Sequence, residues 1–204
     1  MRSVNYKDLF IPKRVLVLIL LVTRLQAEPI TIDTEAITKA HNDLRAIHQS
    51  KPLIYTQTLE KSAKQWANKL AKDGCHMVHS HGKVGPYGEN LYWASARKKA
   101  TSKDEDGAWI WHSSLQKVEE KAVVQAWYDE IKYYDYESNS CKEGEMCGHF
   151  TQVVWNSTTS LGCAAMACED ASQVWVCEYA PAGNITLTTT HTDGTQTTER
   201  LKPY

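Results

Sequence analysis

The sequence predicts an α+β fold, because helical hydrophobic patterns dominate the first half of the chain and strand patterns the second half. The chain has 204 residues, of which 42% are hydrophobic and 23% are charged, and this composition is typical of a globular protein. Its six cysteines form an even number, as expected for disulfides in an oxidising compartment. Together these observations predict one disulfide-bonded domain of mixed helices and strands.

The first 27 residues form a predicted signal peptide. Basic residues lead this segment, residues 15–22 are all apolar, and Ala27 offers a small residue for cleavage ahead of Glu28. Eight apolar residues are too few to cross a bilayer of about 30 Å as a helix, so we expect no transmembrane anchor. The sequence therefore predicts a secreted, extracellular protein whose single domain covers residues 28–204.

The balance of charge excludes a general nucleic-acid binder. The formal net charge of the chain is −1, and loss of residues 1–27, with five basic side chains and one acidic side chain, makes it −5. A protein with this charge lacks the basic excess that neutralises phosphates, so we predict no nucleic-acid partner. In a secreted chain, the sequences that begin at Asn156 and Asn184 are glycosylation acceptors.

Hydrophobic residues recur at helical spacing in three segments of the first part of the chain. The predicted helices cover residues 33–49, 58–72 and 119–134. Asp33 and Thr58 precede the first two apolar stripes and are residue types that cap helices. On the third helix, Val123, Trp127 and Glu130 fall on one face. This phase predicts that Glu130 points inward.

Two stretches outside the predicted helices carry no helical pattern. Residues 75–93 are rich in histidine and glycine and are expected to form an ordered loop. Residues 97–106 are basic and then acidic, so we predict a solvated loop or a short insertion there. Trp109 and Trp111 follow this run, and we expect both to pack against the core.

Strand patterns fill the remainder of the chain. β-Branched and aromatic residues predict strands at residues 150–155, 161–168 and 173–179. A threonine-rich tail begins at Leu187, and Asp193 with Gly194 can form a hairpin turn within it. Helices that precede strands in this way favour separate helical and strand layers in one fold.

Four residues are candidates for chemistry, namely His79, Glu89, Glu130 and His149. His149 opens a predicted strand, which would hold its side chain rigidly. Two imidazoles and two carboxylates can bind a divalent metal, or a carboxylate can act as a general base with a histidine as its partner. A hydrogen-bonding network without chemistry is the third alternative. Spacing alone does not decide between His79 and His81.

Several motifs resemble those of the CAP family, which comprises cysteine-rich secretory proteins, insect antigen 5 and plant pathogenesis-related proteins. Residues 148–155 (GHFTQVVW) closely resemble the first signature of that family, and residues 176–184 (VCEYAPAGN) the second. Residues 86–91 (PYGENL) and 127–130 (WYDE) are similar to two further family motifs. The resemblance covers about residues 33–185.

The resemblance implies a three-layer α-β-α sandwich with an antiparallel central sheet flanked by helices. It places His79, Glu89, Glu130 and His149 as the family tetrad in a large central cleft, and so selects His79 over His81. In some relatives the two histidines bind zinc, which assigns the metal role to His79 and His149. Catalysis by the tetrad is the less favoured expectation, because most relatives lack firm catalytic evidence.

The cysteine spacing is similar to that of the plant members of the family. This similarity implies the disulfides Cys75–Cys168, Cys141–Cys147 and Cys163–Cys177. Trp175 and Glu178 depart from the usual choices of the second signature. We expect these two departures to bear on a strand edge rather than on the tetrad.

The leading function that the resemblance implies is lipid binding. Relatives bind sterol at a loop that corresponds to residues 133–146, and others hold a fatty acid between two helices. In this loop Tyr133, Tyr134 and Tyr136 offer flat apolar faces with polar tips. The expected partner is therefore a sterol or a fatty acid.

Two other functions stay open. One is a metal-dependent hydrolase in which Glu130 or Glu89 acts as the base beside a metal-bound water. The other is a secreted protein ligand or immunomodulator, similar to the venom allergen-like proteins of parasitic worms, that meets a host protein through residues 97–106. In each case we expect a monomer or a weak dimer.

Overall fold

The computed structural model of the protein describes residues 28–204, and the predicted signal peptide lies outside the described residues. The helices are α1 (Thr34–Ile47), α2 (Gln57–Lys72), α3 (Glu120–Tyr128) and α4 (Gly148–Val153), with a 3₁₀ turn over Asp129–Tyr133. The strands are β1 (Glu28–Ile30), β2 (Ile54–Tyr55), β3 (Gly88–Ala94), β4 (Arg97–Lys103), β5 (Trp109–Ser114), β6 (Tyr134–Asp135), β7 (Ser140–Cys141), β8 (Ser160–Ala167), β9 (Gln173–Ala180), β10 (Thr186–Thr190) and β11 (Gln196–Arg200). Within the described residues, no helix is long and apolar enough to cross a membrane.

The central sheet is built around strands β8 and β9, which pair antiparallel. Strand β1 pairs antiparallel with the other edge of β8, and β3 pairs antiparallel with the other edge of β9. The two-residue strand β2 runs parallel to β8. The predicted antiparallel sheet is confirmed, with β2 as a short parallel addition, and β9 lies inside the sheet.

Helices cover both faces of this sheet. On one face, α1, α3 and α4 enclose a core that includes Trp127, Phe150, Trp175 and Tyr179. On the opposite face, α2 packs over β8 and β9 and contributes Trp66 to a second core. Successive strand residues point to opposite faces, so a strand covered on both sides is apolar on both sides. The predicted three-layer α-β-α sandwich is confirmed.

Capping residues determine where the first two helices begin. The Asp33 carboxylate accepts hydrogen bonds of 3.0 Å from two backbone N–H groups in the first turn of α1, which confirms the predicted cap. The cap of α2 is Thr56, whose hydroxyl accepts from the backbone N–H of Leu59, so the predicted cap at Thr58 is wrong. Thr56 has the extended backbone that a cap requires, whereas Thr58 is already helical.

The predicted helix over residues 119–134 is interrupted. Helix α3 ends at Tyr128, and residues 129–133 continue as a 3₁₀ turn, a tighter winding that is common at helix ends. Val123 and Trp127 are buried, as the predicted phase requires. Glu130 lies in the tighter turn, where its carboxylate meets the start of α4.

The predicted strand over residues 150–155 is wrong, because this segment forms α4 and the turn after it. Residues 150–153 are all at most 2% exposed. A short run that is buried on every side shows no alternation, so periodicity does not separate a helix from a strand there. His149 consequently stands in the first turn of a helix rather than at the entrance of a strand.

The run predicted as a loop at residues 97–106 belongs to a two-stranded hairpin of β4 and β5, the β4–β5 hairpin. Trp109 and Trp111 are 56% and 61% exposed, so the prediction that they pack against the core is wrong. The Lys103 ammonium lies over the Trp109 ring, 5.0 Å from its centre. The hairpin extends into solvent because its side chains belong to neither of the two cores.

Cross-links and a second hairpin complete the fold. The three implied disulfides are confirmed as Cys75–Cys168, Cys141–Cys147 and Cys163–Cys177. The threonine-rich tail folds as the hairpin of β10 and β11. Its predicted turn is confirmed, with Gly194 in the left-handed region at φ +82° and the Asp193 carboxylate accepting from the backbone N–H of Thr195.

Candidate functional site

The first pair of site residues joins strand β3 to the histidine-rich loop before it. Glu89 is the second residue of β3, and its side chain is 6% exposed, whereas that of His79 is 49% exposed. Glu89 Oε1 accepts from His79 Nδ1 at 2.7 Å and from the backbone N–H of Ser80 at 2.9 Å. The carboxylate thus orients the imidazole and leaves Nε2 as its free nitrogen.

The second pair joins the 3₁₀ turn to α4. Glu130 Oε1 accepts from His149 Nδ1 at 2.6 Å. Glu130 Oε2 accepts from the backbone N–H groups of His149, at 3.0 Å, and Phe150, at 3.4 Å. The first N–H groups of a helix have no partner within it, so Glu130 caps α4 as well as holding the imidazole.

The two pairs meet at one cleft. The ring centres of His79 and His149 lie 6.2 Å apart. The cleft has a volume of about 330 Å³. Besides these two rings, its lining residues are Glu89, Asn90, Cys141, Glu145, Met146, Cys147, Gly148, Asn184 and Arg200. The structure therefore brings the four predicted residues together from a loop, a strand, a 3₁₀ turn and a helix.

Both tetrad carboxylates are engaged in holding imidazoles. Burial opposes the ionisation of Glu89, but hydrogen bonds from His79 and Ser80 outweigh it and lower the pKa of Glu89. Both oxygens of Glu130 accept hydrogen bonds from α4. A general base needs an oxygen within reach of the proton that it removes. The arrangement therefore suits binding through the imidazole Nε2 atoms better than base catalysis by either glutamate.

The two histidines fit a metal site with few protein ligands. A carboxylate on Nδ1 is the usual outer partner of a metal-binding histidine, so Nε2 of His79 and Nε2 of His149 are the available ligands for zinc. In the part of the chain that the structure describes, no group of three or more His, Cys, Asp or Glu side chains is arranged to hold a metal ion. Zinc sites usually have at least three protein ligands, so a site with two imidazoles would bind zinc weakly.

The structure adds Glu178 to the neighbourhood of this site. The expectation that its departure from the family signature bears on a strand edge is wrong, because Glu178 lies on the internal strand β9, directly opposite Glu89. Glu178 is 1% exposed, and burial together with the charge of Glu89 raises its pKa to about 8. Alternation places Glu178 in one row with Val174 and Val176, and a carboxyl in an apolar row is the sequence signal for this residue.

The three tyrosines of the predicted sterol loop pack against the protein. Tyr134 lies 5.6 Å from the Phe150 ring, and its strand pairs with the segment that holds the Cys141–Cys147 disulfide. Tyr136 stacks on Tyr204 with ring centres 5.0 Å apart. Tyr133 is partly buried, with a lysine ammonium 4.8 Å from its ring centre. In this arrangement the tyrosines shape the loop beside the cleft, and their contact with a lipid stays a prediction.

The two candidate glycosylation sites differ in their surroundings. Asn156 is exposed. Asn184 Nδ2, the atom that would carry a glycan, donates to the backbone oxygen of Gly148 at 3.0 Å, and Asn184 Oδ1 accepts from Thr151 at 2.6 Å. Asn156 is therefore the better acceptor in the folded protein, and the use of either site stays a prediction.

Comparison with known sequences identifies clear relatives. The sequence pattern of the cysteine-rich secretory protein family, CAP, matches residues 38–179. The pathogenesis-related protein PRMS of Zea mays is 40% identical over 147 residues, which are 71% of this chain and 74% of that protein.

Comparison with solved structures finds the same architecture. The crystal structure of Na-ASP-1 superposes with a TM-score of 0.52 and 24% identity. The superposition covers 74% of this chain and 39% of the Na-ASP-1 chain. Venom allergen-like protein 4 of Schistosoma mansoni superposes with a TM-score of 0.50 and 21% identity, over 72% of this chain and 86% of that one. At these identities the superpositions speak for the fold alone.

Proposed function

Because the chain belongs to the CAP family of cysteine-rich secretory proteins, we propose that it is an extracellular binding protein for a small lipid, either a sterol or a fatty acid. The observation that supports this function is the composition of the cleft wall. Met146 lines the cleft and is 68% exposed, next to the Cys141–Cys147 disulfide. Met146 and this disulfide form one apolar wall of a cleft whose other side chains are polar, and such a combination suits a small amphipathic ligand.

The polar end of the ligand would lie against the two imidazoles. Nε2 of His79 and Nε2 of His149 belong to rings that are already held by Glu89 and Glu130, so a ligand need not order them on binding. An imidazole can hydrogen-bond a sterol hydroxyl or pair with a fatty-acid carboxylate. A cation at the same cleft, Arg200, adds a second partner for a carboxylate.

The apolar wall is tested by Met146→Glu. Burial of a methionine side chain is worth about 1.5–3 kcal/mol, so a charge at this position should weaken binding of cholesterol or palmitate by about tenfold or more. Ile47→Glu is the matched control, because Ile47 is 65% exposed at the end of α1, outside the cleft. Equal affinities of Met146→Glu and the wild type, measured with radiolabelled ligand, would contradict the cleft site.

The loop tyrosines are tested separately by the double variant Tyr134→Ala, Tyr136→Ala. The change removes the stacking of Tyr136 on Tyr204 and the packing of Tyr134 on Phe150, so the loop beside the cleft should loosen and sterol affinity should fall. Circular dichroism of the variant controls for loss of the fold. Unchanged sterol binding in a folded variant removes Tyr134 and Tyr136 from the proposed site.

Weak zinc binding by His79 and His149 is a further part of the proposal. A bound zinc ion would supply a Lewis acid in the cleft, while Glu89 and Glu130 would keep the two ligand rings oriented. Titration calorimetry with zinc chloride should give heat for the wild type and for the control variant His112→Ala, whose exposed histidine lies on the β4–β5 hairpin. His79→Ala and His149→Ala should each abolish it, and retention of the heat in both contradicts the site.

A secreted protein ligand is the second candidate function, favoured by the β4–β5 hairpin. Two largely exposed tryptophans on a strand whose residues are all exposed are unusual for a surface without a partner. Binding of the labelled protein to cells should be lost in Trp109→Ala, Trp111→Ala. The variant Trp93→Ala should bind as the wild type does, because Trp93 is 45% exposed but lies outside the hairpin. Full cell binding by the double variant excludes the hairpin.

A further inference from the structure

We propose that Glu178 is a positioning residue of the cleft: its carboxyl group is neutral in the folded protein and donates a hydrogen bond to Glu89, which in turn holds His79. The proposal concerns how the cleft is built and does not depend on which ligand occupies it. It goes beyond the tetrad, since Glu178 is not among the residues that line the cleft and acts through Glu89.

The register of the sheet brings the two side chains together. Glu89 of β3 pairs directly with Glu178 of β9 in an antiparallel ladder. Side chains of directly opposite residues project from the same face with Cβ atoms about 5 Å apart. The whole residue Glu178 is 1% exposed and the Glu89 side chain 6% exposed. The two carboxyl groups therefore lie side by side in a position that is shielded from water.

Each of the two carboxyl groups has one buried oxygen without a hydrogen-bond partner. Glu89 Oε1 accepts from His79 and Ser80, but Glu89 Oε2 is buried without a partner. Glu178 Oε1 is the other buried side-chain oxygen in the described part of the chain that has no partner. Two ionised carboxylates have acceptors only, whereas one proton on Glu178 supplies a donor that satisfies both orphan oxygens.

The surroundings of Glu178 favour the proton on this residue rather than on Glu89. On its other side, Glu178 pairs with Gly162 of β8, where any side chain would collide with the backbone of α2 at Leu59 and Glu60. The carboxylate of Glu60 lies near the Tyr55 hydroxyl, which donates to the backbone oxygen of Cys163. Tyr179, next along β9, is fully buried and neutral. Glu89 has donors that stabilise its charge, whereas the charged group that acts on Glu178 is Glu89 itself. Burial and the charge of Glu89 accordingly raise the pKa of Glu178, and the donors lower that of Glu89.

The hydrogen bond from Glu178 thus fixes the orientation of the His79 ring through Glu89. A donor on Glu89 Oε2 prevents rotation of the Glu89 carboxylate, so Glu89 Oε1 stays aligned with His79 Nδ1. An amide at position 178 can supply the same donor, whereas an apolar side chain of similar volume cannot. Glu178→Gln should therefore preserve the His79 geometry, and Glu178→Met should lose it.

The protonation state is measured on the full secreted chain with ¹³C-labelled glutamate. At about pH 6, well above the ordinary range of a glutamate, one side-chain carboxyl carbon should still resonate as a protonated acid. That signal should be absent in Glu178→Gln and present in the control Glu60→Gln, which removes a carboxyl from α2. Ionisation of every glutamate at this pH, or persistence of the signal in Glu178→Gln, overturns the proposal.

The positioning role is measured by the hydrogen-bonded Nδ1–H proton of His79 in the NMR spectrum. Its signal should be retained in Glu178→Gln and broadened or lost in Glu178→Met, while the corresponding proton of His149 stays as an internal control because Glu130 is untouched. An unchanged His79 signal in a folded Glu178→Met variant excludes this positioning role. If that variant does not fold, the carboxyl measurement on Glu178→Gln still decides the protonation state.

Discussion

The guanidinium of Arg45 is buried between the loop after α1 and the end of α4. The residue is 0% exposed, and it donates four hydrogen bonds of 2.8–2.9 Å to the backbone oxygens of Lys51, Val153, Trp155 and Thr158. The last carbonyls of a helix have no partner within it, so one side chain satisfies several buried acceptors at once. Arg45 thereby ties α4, and with it His149, to α1.

Replacement of Arg45 by lysine should be strongly destabilising. A lysine keeps the charge but cannot reproduce the planar fork, so buried carbonyls are left unpaired. We expect a loss of about 2–4 kcal/mol in the free energy of unfolding, measured with urea. Lys39→Arg, on the exposed face of the same helix, should change it by no more than about 0.5 kcal/mol. A loss below about 1 kcal/mol in Arg45→Lys would show that water replaces the missing donors.

The raised pKa of Glu178 predicts how stability depends on pH. The carboxyl has a pKa of about 8 in the folded protein and 4.5 as its ordinary value, so the folded state keeps a proton that the unfolded chain releases. The wild type should therefore lose stability relative to Glu178→Gln as the pH rises from 4.5 to about 8. The measurement is the difference between the two proteins in urea unfolding at several pH values.

The wild type is compared with Glu178→Gln because His41 changes the stability of both proteins with pH in the opposite direction. Burial lowers the pKa of His41 to about 4 from 6.5, so its contribution to stability is lost as the pH falls through this window. Both proteins carry His41, and its effect cancels in the comparison. A difference that is constant between pH 4.5 and 8 would show that Glu178 is ionised in the folded protein.

At the scale of elements, the disulfides close loops of very different length. Cys141–Cys147 spans 6 residues beside the cleft, whereas Cys75–Cys168 spans 93 and joins the end of α2 to the end of β8. If a disulfide stabilises chiefly by restricting the unfolded chain, its effect grows with the logarithm of this length. The Cys141–Cys147 disulfide therefore contributes more to the conformation of its loop than to the stability of the fold.

Replacement of both cysteines of a disulfide by alanine should lower the free energy of unfolding less for the short loop than for the long one, as measured by thermal unfolding. Loss of Cys141–Cys147 should cost about 2 kcal/mol, and loss of Cys75–Cys168 about 5 kcal/mol. The short-loop variant should also weaken lipid binding, because this disulfide lines the cleft. Equal losses of stability in the two variants would indicate that local packing, rather than chain restriction, dominates.

The elements that the sequence predicts well are those with a clear periodicity. The stripe of α1 and the strands at residues 161–168 and 173–179 are close to the observed α1, β8 and β9. Residues 150–153 of helix α4 are all buried and carry no period, so they resemble a strand. The β4–β5 hairpin is missed for the opposite reason, because its polar strand is exposed on both faces.

At the scale of the whole molecule, the site combines residues that are far apart in the chain. Helical phase alone predicts that Glu130 points inward, but nothing local relates it to His79 or His149. Their meeting depends on long-range packing of α3, α4 and β3, and it could be anticipated through family resemblance alone. The resemblance marks Glu178 only as a departure from the second signature and does not relate it to the site, because its pairing with Glu89 is visible only in the register of β3 and β9.

The position of the β4–β5 hairpin relative to one cross-link has a consequence for proteolysis. Residues 97–114 lie between Cys75 and Cys168 in the chain and carry no core side chain. A protease that cuts the exposed hairpin should thus convert the molecule into two chains that remain covalently joined and folded. Gel electrophoresis should show one band of unchanged mass without reductant and two fragments with it, so such nicking would pass unnoticed in any preparation examined only in its oxidised form.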